Sequence, residues 1–192
     1  MSSIAAADTY VTPEEYLASE RRGKYKSEYI HGEVLAMSGA SNAHNIITVE
    51  ITTELNIQLR PRGCFVYSGD MRVRTSRTGS YFYPDVAVVC DKPQFEDNVF
   101  DTLLNPILIV EVLSPSTEVY DKGEKFAHYQ ELASLREYVL VSQDRVHVDH
   151  YRLMGTQWVG KAFHTPEDVL LLDSIECKLP LRDIYARVIL AD

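Results

Sequence analysis

Several features that define whole classes of protein are missing from this sequence or scarce in it. None of the apolar runs in its 192 residues has the length that a membrane span needs. The start, MSSIAAADTYVTPEEY, lacks the basic segment and the long apolar stretch of a signal peptide. The three cysteines, Cys64, Cys90 and Cys177, are odd in number and far apart, which argues against a disulfide framework and a zinc ribbon. We therefore expect a cytoplasmic protein.

Positive charge is also in short supply. The chain has 19 Lys and Arg residues against 28 Asp and Glu residues, for a net charge of −9. Proteins that bind nucleic acids usually present a basic surface, and this overall field opposes a polyanion. Such a ligand would need a bound metal ion or a local basic patch. Two clusters could provide the patch, although ordinary surface charge explains them equally well: Arg72, Arg74 and Arg77, and Arg21, Arg22, Lys24 and Lys26.

The length predicts one domain over residues 12–192, preceded by a flexible tail over residues 1–11. Capping residues and hydrophobic spacing predict the elements of this domain. They are a helix from Pro13 to about Glu20, a hairpin over 25–37 that turns at Gly32-Glu33, a helix over 42–60, strands over 64–75, 81–90 and 106–113, a helix from an Asp121 cap to about Ser134, strands over 137–142 and 145–153, a short strand near Trp158 and a last helix from Pro180. This order predicts a mixed α/β or α+β domain with a central sheet.

One acidic residue interrupts each of two apolar strands. Asp85 lies in the run Pro84-Asp85-Val86-Ala87-Val88-Val89, and Glu111 lies in the run over residues 107–113. A buried carboxylate is costly without a partner, and two that converge repel each other unless a hard cation lies between them. Mg²⁺, or Mn²⁺ in its place, suits such oxygen ligands. Two simpler interpretations stay open: Asp85 closes a turn after proline, or Glu111 pairs with an arginine of the 64–75 strand.

A lysine near these acids would complete a catalytic set. Lys122 and Lys125 lie in the first turns of the helix that follows the Glu111 strand. From there a lysine can reach back to the strand end and stabilise an attacking hydroxide or the charge that develops on a phosphate. Tyr129 shares a helix face with Lys125. The simpler interpretations are a solvated helix face for the lysines and core packing for the tyrosine.

Taken together, one string of residues is similar to that of a known family: Pro84-Asp85, Glu111-Val112-Leu113-Ser114-Pro115-Ser116, Asp121, Lys125 and Tyr129. In these residues the chain resembles the Uma-two family of candidate restriction endonucleases, small proteins abundant in cyanobacteria within the PD-(D/E)XK nuclease superfamily. The resemblance covers about residues 12–153, including Tyr25 to Val34 and His44. It implies a restriction-endonuclease-like core, a mixed sheet flanked by helices around a divalent metal, in which Asp85 and Glu111 are the two superfamily acids.

The chain departs from the superfamily pattern at one position. The superfamily lysine stands two residues after the second acid, where this sequence has Leu113. Residues 111 and 113 of a strand face the same way, so Lys125 would have to supply the charge from the helix, as is common in this family. Two further site candidates are Glu33, as a third carboxylate or a solvated hairpin acid, and His44, as a cleft residue or part of the helix cap.

These residues support three hypotheses of function. The first is an Mg²⁺-dependent endonuclease that hydrolyses phosphodiester bonds in DNA, with Asp85 and Glu111 as metal ligands and Lys125 beside the nucleophile. It would be a homodimer if it cuts both strands. The second is a weakly active or inactive module that binds nucleic acid or protein on the same fold, which Leu113 and the net charge favour. The third is another hydrolase in which Asp85 and Glu111 act as a general acid–base pair, for example on a sugar.

Overall fold

The structure, a computed structural model, describes residues 10–75 and 79–190. Its helices are α1 (Pro13–Glu20), α2 (Asn42–Leu59), α3 (Glu118–Tyr120), α4 (Phe126–Tyr129) and α5 (Leu181–Ile184). Its strands are β1 (Ser27–Ile30), β2 (Glu33–Ala36), β3 (Phe65–Ser68), β4 (Arg72–Arg74), β5 (Tyr81–Phe82), β6 (Val86–Val89), β7 (Thr102–Leu103), β8 (Leu108–Leu113), β9 (Glu137–Ser142), β10 (Val148–Met154), β11 (Gln157–Phe163), β12 (Val169–Leu172) and β13 (Cys177–Pro180). No helix of these described parts is long and apolar enough to cross a membrane.

The strands form three sheets, of which the largest carries the site. It has six strands in the order β11-β10-β9-β8-β6-β3, and within it β8 and β9 run parallel. All residues of β6, β8 and β9 are buried, because both faces of these central strands are covered. A five-stranded sheet has the order β2-β1-β5-β4-β7, and β12 pairs with β13. The mixed α/β class predicted from the order of elements is therefore what the structure shows.

Helices and strands cover the six-stranded sheet on both faces. Alternate side chains of β8 point in opposite directions, so Val110 and Val112 pack with α2, whose buried stripe is Ile47, Ile51, Leu55 and Leu59. Ile109 and Leu113 pack on the other face, against the α4 residues Phe126 and Tyr129 and against the five-stranded sheet. Glu111 shares this second face, and its carboxylate therefore points between the sheet and the helical segment after β8.

The N-terminal elements follow the sequence signals closely. Thr12 caps α1 in a capping box with Glu15, as the sequence predicts. The β1–β2 hairpin turns at His31-Gly32, one residue earlier than predicted, and Glu33 is the first residue of β2. Gly32 has φ +101°, and a Cβ there would lie 2.2 Å from the Tyr10 ring. Of the expected tail only Tyr10 and Val11 are described, and the Val11 amide donates to the Gly32 carbonyl; residues 1–9 lie outside the described residues.

Two of the three predicted strands are in fact broken. The segment predicted over 64–75 divides into β3 of the six-stranded sheet and β4 of the five-stranded sheet. The segment over 81–90 divides in the same way into β5 and β6, with Tyr83, Pro84 and Asp85 between them. The apolar run over 81–90 was continuous in sequence because both of its halves, β5 and β6, are buried. In the 64–75 segment β4 is largely buried and β3 is partly exposed. In both segments the chain passes from one sheet to the other in the middle.

The helical segment after β8 also differs from its prediction. It begins at Glu118 instead of at an Asp121 cap, and it ends at Tyr129 instead of near Ser134. Residues Asp121–Lys125 form a π-helical turn between α3 and α4. Such turns occur frequently at functional sites. Asp121 therefore lies inside the helical segment, where its side chain is buried beside Lys125, 3.7 Å from the ammonium group.

The expectation of no disulfide was wrong for one pair of cysteines. Cys64 and Cys90 form a disulfide, and Cys177 is a buried free cysteine. Cys64 directly precedes β3 and Cys90 directly follows β6, and the antiparallel register that pairs Phe65 with Val89 brings the two cysteines opposite each other. Their Cα atoms are 4.1 Å apart. Spacing in sequence could not reveal this pair, because strand register creates it.

Candidate functional site

Asp85 and Glu111 meet where β6 and β8 pair. The register joins Val86 to Val110, so Asp85, one residue before β6, arrives beside Glu111 and Val112. The Asp85 Oδ2 atom accepts a hydrogen bond of 2.7 Å from the Val112 amide. This contact fixes the Asp85 carboxylate against the neighbouring strand. The break in the predicted 81–90 strand is what frees Asp85 from the ladder and lets its side chain turn toward β8.

Lys125 brings its ammonium group to the same place from the π-helical turn. Its Nζ atom lies 3.0 Å from Glu111 Oε1, 2.8 Å from Glu28 Oε1 and 3.7 Å from Asp121 Oδ1. All four side chains are at least nine-tenths buried. Lys125 is thus next to the second acid although it stands 14 positions from it, while Leu113, at the superfamily lysine position, is buried in the core.

Burial and neighbouring charges shift the pKa values of the groups in this cluster. Burial raises the pKa of Glu111 to about 8; Lys125 opposes the rise, and the carboxylates of Asp121, Asp85 and Glu28 add to it. Burial also raises the pKa of Asp121. For Lys125, burial acts to lower the pKa, but the surrounding carboxylates outweigh it and hold the pKa well above its usual value. The lysine is therefore charged, and Glu111 holds a proton near neutral pH.

Two of the secondary candidates join the site. The His44 Nε2 atom, on the first turn of α2, lies 2.7 Å from Asp85 Oδ1. An ionised carboxylate only accepts hydrogen bonds, so His44 donates and orients Asp85. The Tyr129 hydroxyl, which is buried, donates a hydrogen bond of 2.9 Å to Glu111 Oε1. Both residues thus contact a site acid, in addition to the helix-start and core-packing positions that the sequence also allowed.

The other two secondary candidates lie apart from these acids. Glu33 begins the exposed strand β2 and does not line the cleft, as expected for a solvated hairpin acid. Lys122 pairs with Glu118 at 2.8 Å and with Asp149 at 3.0 Å. It therefore belongs to the far side of the helical segment. Lys122 is a useful control for Lys125, since the two lysines are three positions apart and differ in which acids they contact.

Most of the basic residues that were candidates for a nucleic-acid surface are paired with acids. Arg21 contacts Asp97 and Asp101, each at 2.8 Å, and buried Arg72 also contacts Asp101, at 2.5 Å. Arg74 pairs with Glu96 at 2.7 Å. The acidic connection over residues 91–105 thus neutralises these arginines. Neither arginine of β4 pairs with Glu111, and Arg77 lies outside the described residues.

The site acids lie in a cleft of about 860 Å³. Its lining includes the acids Glu28, Asp85, Glu111 and Asp121 together with His44 and Lys125, basic residues of the segment before β1, and the hydroxyl residues Ser114, Ser116 and Thr117. In all, five acids line the cleft, counting Asp70, beside three lysines and one histidine. Around Lys125 itself, three acids face one ammonium group, and these hard oxygen donors have the chemistry that attracts a divalent cation.

A metal at this place would rest on few protein ligands. Within the described ranges, no three His, Cys, Asp or Glu residues form a group that could hold a metal ion. Mg²⁺ does not require such a group, because it commonly uses one or two carboxylates and keeps several waters. Asp85 and Glu111 supply two carboxylates from adjacent strands, so the donor set fits Mg²⁺ or Mn²⁺ better than a metal that needs a closed shell of side chains.

Comparison with known proteins then identifies the family. The sequence profile of the Uma2 family, described as "Putative restriction endonuclease", matches residues 13–182. The chain belongs to the Uma2 family. Two relatives come from Synechocystis sp. (strain ATCC 27184 / PCC 6803 / Kazusa): "Uncharacterized protein sll1609" is 38% identical over 81% of this chain and 89% of its own length, and "Uncharacterized protein slr1290" is 40% identical over 73% of each.

A solved structure shares the fold of this Uma2-family chain. It is the crystal structure of a protein described as "a putative nuclease belonging to DUF820 from Anabaena variabilis ATCC 29413". The two structures match with a TM-score of 0.78 at 21% identity, over 93% of this chain and 99% of the other. The restriction-endonuclease-like fold and the family resemblance drawn from the sequence are both confirmed.

Glu28 is the acid that the sequence failed to single out. It stands in β1 of this Uma2-family chain, and it is buried although its strand is short and lies in a polar hairpin. Glu33, five residues later, is exposed. The burial of the two residues differs because only one side of the hairpin faces the helical segment. The family resemblance included Tyr25 to Val34, which contains Glu28, but no apolar run marked Glu28 in the way that such runs marked Asp85 and Glu111.

Proposed function

We propose that this protein is a metal-dependent endonuclease that hydrolyses phosphodiester bonds in DNA. The observation that supports this most is the contact of Lys125 with Glu111, 3.0 Å, beside the Asp85 carboxylate. Two acids and one lysine are the set of side chains that the superfamily pattern implies. Here the lysine comes from the π-helical turn instead of from the strand position that Leu113 occupies.

Asp85 and Glu111 would hold the metal, and the other residues would keep them in position. His44 and the Val112 amide fix the two oxygens of Asp85. Tyr129 and Lys125 contact Glu111 Oε1. Bound Mg²⁺ or Mn²⁺ would supply Lewis-acid polarisation of the phosphate and a lower pKa for the attacking water.

Lys125 would act on the reacting atoms directly. Hydrolysis adds one water across a P–O ester bond and leaves a phosphate monoester and a hydroxyl group. The ammonium group of Lys125 stays charged because acids surround it, so it can donate to the nucleophile or to a phosphate oxygen as negative charge develops. Its burial keeps water from weakening that interaction.

A cleavage assay tests this proposal. Supercoiled and single-stranded circular DNA are incubated with the wild type in Mg²⁺ or Mn²⁺, and with Asp85→Asn, Lys125→Met and the control Lys122→Met. We expect cleavage by the wild type and by Lys122→Met, a loss of at least about a hundredfold in the two site variants, and no cleavage with a chelator. Cleavage that survives chelation would instead support the general acid–base hydrolase.

A module that only binds nucleic acid or protein is the second candidate. The observation that favours it is Leu113, which is buried in the core where the superfamily has its lysine. On this account Lys125 neutralises buried acids and does no chemistry. The wild type would then bind a ligand without cutting DNA under any metal condition, and Asp85→Asn would bind equally well. The homodimer expected for two-strand cleavage stays a prediction, which sedimentation of the wild type can test.

A further inference from the structure

Several side chains that line the cleft have no role in the proposed chemistry. Tyr25 lines it with 88% of its surface exposed, more than almost any other large apolar or aromatic residue described. Lys24 and Lys26, its two neighbours in sequence, line the same cleft. A tyrosine so exposed contributes little to the stability of the fold. An exposed aromatic ring between two lysines suits a ligand that alternates flat rings with negative charges.

The charge of Lys26 is available to such a ligand. Its Nζ atom donates to the Gly69 carbonyl at 2.7 Å and to Asp70 at 2.9 Å, and the Asp70 side chain is 96% exposed. An exposed ion pair of this kind contributes little stability, so a phosphate can replace the Asp70 carboxylate at small cost. Arg21, Arg72 and Arg74, in contrast, are held by the acids of residues 91–105.

Apolar side chains add to the aromatic part of the lining. Leu35, on β2 and 40% exposed, and Met37 line the cleft together with Tyr25. Paired DNA presents phosphates and base edges to a protein and keeps the flat faces of its bases stacked inside. Unpaired bases expose those faces. Exposed apolar and aromatic side chains next to lysines therefore fit a single strand better than a duplex.

We propose that Tyr25, Lys24 and Lys26 form a docking surface for single-stranded DNA, in which an unpaired base stacks on Tyr25 and the lysines contact the flanking phosphates. The inference rests on the proposed nuclease function and names its substrate class. Tyr25 stands three residues before Glu28, which contacts Lys125, so the chain between them spans at most about 11 Å. The docking surface therefore adjoins the acids of the proposed catalytic site.

Binding measured without catalysis tests this docking surface. Fluorescence anisotropy is recorded at low salt with EDTA, using a labelled single-stranded oligonucleotide and the duplex of the same sequence. We expect the single strand to bind at least about tenfold more tightly than the duplex. Tyr25→Ala should weaken single-strand binding by about tenfold, since stacking on one base accounts for a change of that size, and Tyr25→Phe should leave it unchanged.

Two further variants distinguish loss of the docking surface from a general loss of DNA binding. Phe65→Ala removes another exposed aromatic side chain that lies outside the cleft, and it should bind as the wild type does. Substitution of both Lys24 and Lys26 by Gln should reduce the slope of log K against log salt by about 1.4, because each phosphate contact on a single strand contributes about 0.7. Equal binding of duplex and single strand, no binding of the single strand, or an unchanged Tyr25→Ala would each overturn the inference.

Failure of this inference differs from failure of the nuclease proposal. Efficient cleavage of duplex DNA, unaffected by Tyr25→Ala, would contradict the docking surface and leave the nuclease in place. A single-strand preference that depends on Tyr25, in a protein that cuts no DNA with any metal, would contradict the nuclease and leave the docking surface. A single-strand substrate also removes the need for a second active site, so a monomeric protein is consistent with it.

Discussion

Two clusters of charged side chains in this protein contain similar groups, but the pKa values of their carboxyl groups shift in opposite directions. In one cluster, Lys125 contacts Glu28, Glu111 and Asp121, and the pKa values of Glu111 and Asp121 are raised. The other cluster joins Arg21 and Arg72 to Asp97 and Asp101. In that cluster hydrogen bonds, chiefly from Arg21 to Asp101 and from the Val99 amide to Asp97, lower the pKa of each aspartate.

The difference lies in depth and in charge balance. The arginine cluster has two cations for two carboxylates, and its aspartates are about one-third exposed. It ties α1 to the acidic connection and to β4, which is a structural role. The lysine cluster is almost fully buried and has one cation for three carboxylates, with Asp85 and His44 beside it. A stable fold does not need such a surplus of buried acids, but a site for a divalent cation does.

Removal of Lys125 should cause the largest loss of stability. Lys125→Met leaves three buried acidic side chains without their cation, and a broken buried ion pair costs about 3 kcal/mol or more. The matched control, Lys122→Met, removes two partly exposed ion pairs and should cost about 1 kcal/mol. Urea denaturation at pH 7.5 measures both. If the two variants lose the same free energy of unfolding, the ion pairs of Lys125 stabilise the fold no more than those of Lys122.

Glu111 should make the wild type less stable as pH rises. Its pKa is about 8 in the folded protein and ordinary in the unfolded chain, so its contribution is complete below about pH 4.5 and is lost as pH rises toward 8. The Gln side chain of Glu111→Gln does not titrate, so it makes no such pH-dependent contribution. The difference in unfolding free energy between variant and wild type should therefore shift by about 3 kcal/mol in favour of the variant from pH 5 to pH 8. Denaturation at both pH values checks this, and a constant difference would contradict the raised pKa.

Loss of His44 should weaken metal binding without unfolding the protein. His44 orients Asp85 through one hydrogen bond of 2.7 Å, and removal of such an outer partner typically lowers metal affinity by about 10-fold to 100-fold. We expect this fall in Mn²⁺ affinity for His44→Ala in titration calorimetry, with His164→Ala, an exposed histidine outside the cleft, unchanged. If both variants bind Mn²⁺ as tightly as the wild type, His44 does not position the metal ligand.

The contribution of Asp101 to stability should depend on pH in the opposite sense to that of Glu111, and the effect should be smaller. Its lowered pKa means that its stabilising contribution is present above about pH 4 and is lost as pH falls through the folded-state pKa. Asp101→Asn should cost about 1 kcal/mol at pH 7, since the side chain is partly exposed. This deficit should shrink at pH 3. A deficit that grows on acidification would show that the arginine cluster does not hold an ionised carboxylate.

The sequence singled out two candidate site acids because each interrupts an apolar run. Asp85 and Glu111 stand out in strands that are otherwise buried, and the cost of burying a carboxylate makes that pattern informative. Lys122 and Lys125 were candidates because of their place at the start of the helix after the Glu111 strand, and the family resemblance favoured Lys125. The contact of Lys125 with Glu111 depends on a π-helical turn that the sequence did not predict. The helix was expected to start at Asp121 because an acid followed by Glu124 mimics a capping box.

What the sequence could not predict depends on contacts between distant segments. The Cys64–Cys90 disulfide follows from the register of β3 and β6, and the burial of Glu28 follows from how the hairpin meets the helical segment. The arginines of β4 looked like a basic patch until the fold brought the acids of residues 91–105 beside them. Local patterns determine elements, whereas these pairings need the tertiary arrangement.

A calorimetric titration of Mn²⁺ into the wild type and Asp85→Asn near pH 8, where Glu111 is losing its proton, tests the proposed metal site directly. We expect saturable binding to the wild type, with release of protons as Glu111 ionises, and loss of that binding in the variant. Asp85→Asn keeps the shape of the side chain and removes the negative charge of a metal ligand. Equal binding by both proteins, or no binding by the wild type, would contradict a metal site built on Asp85 and Glu111.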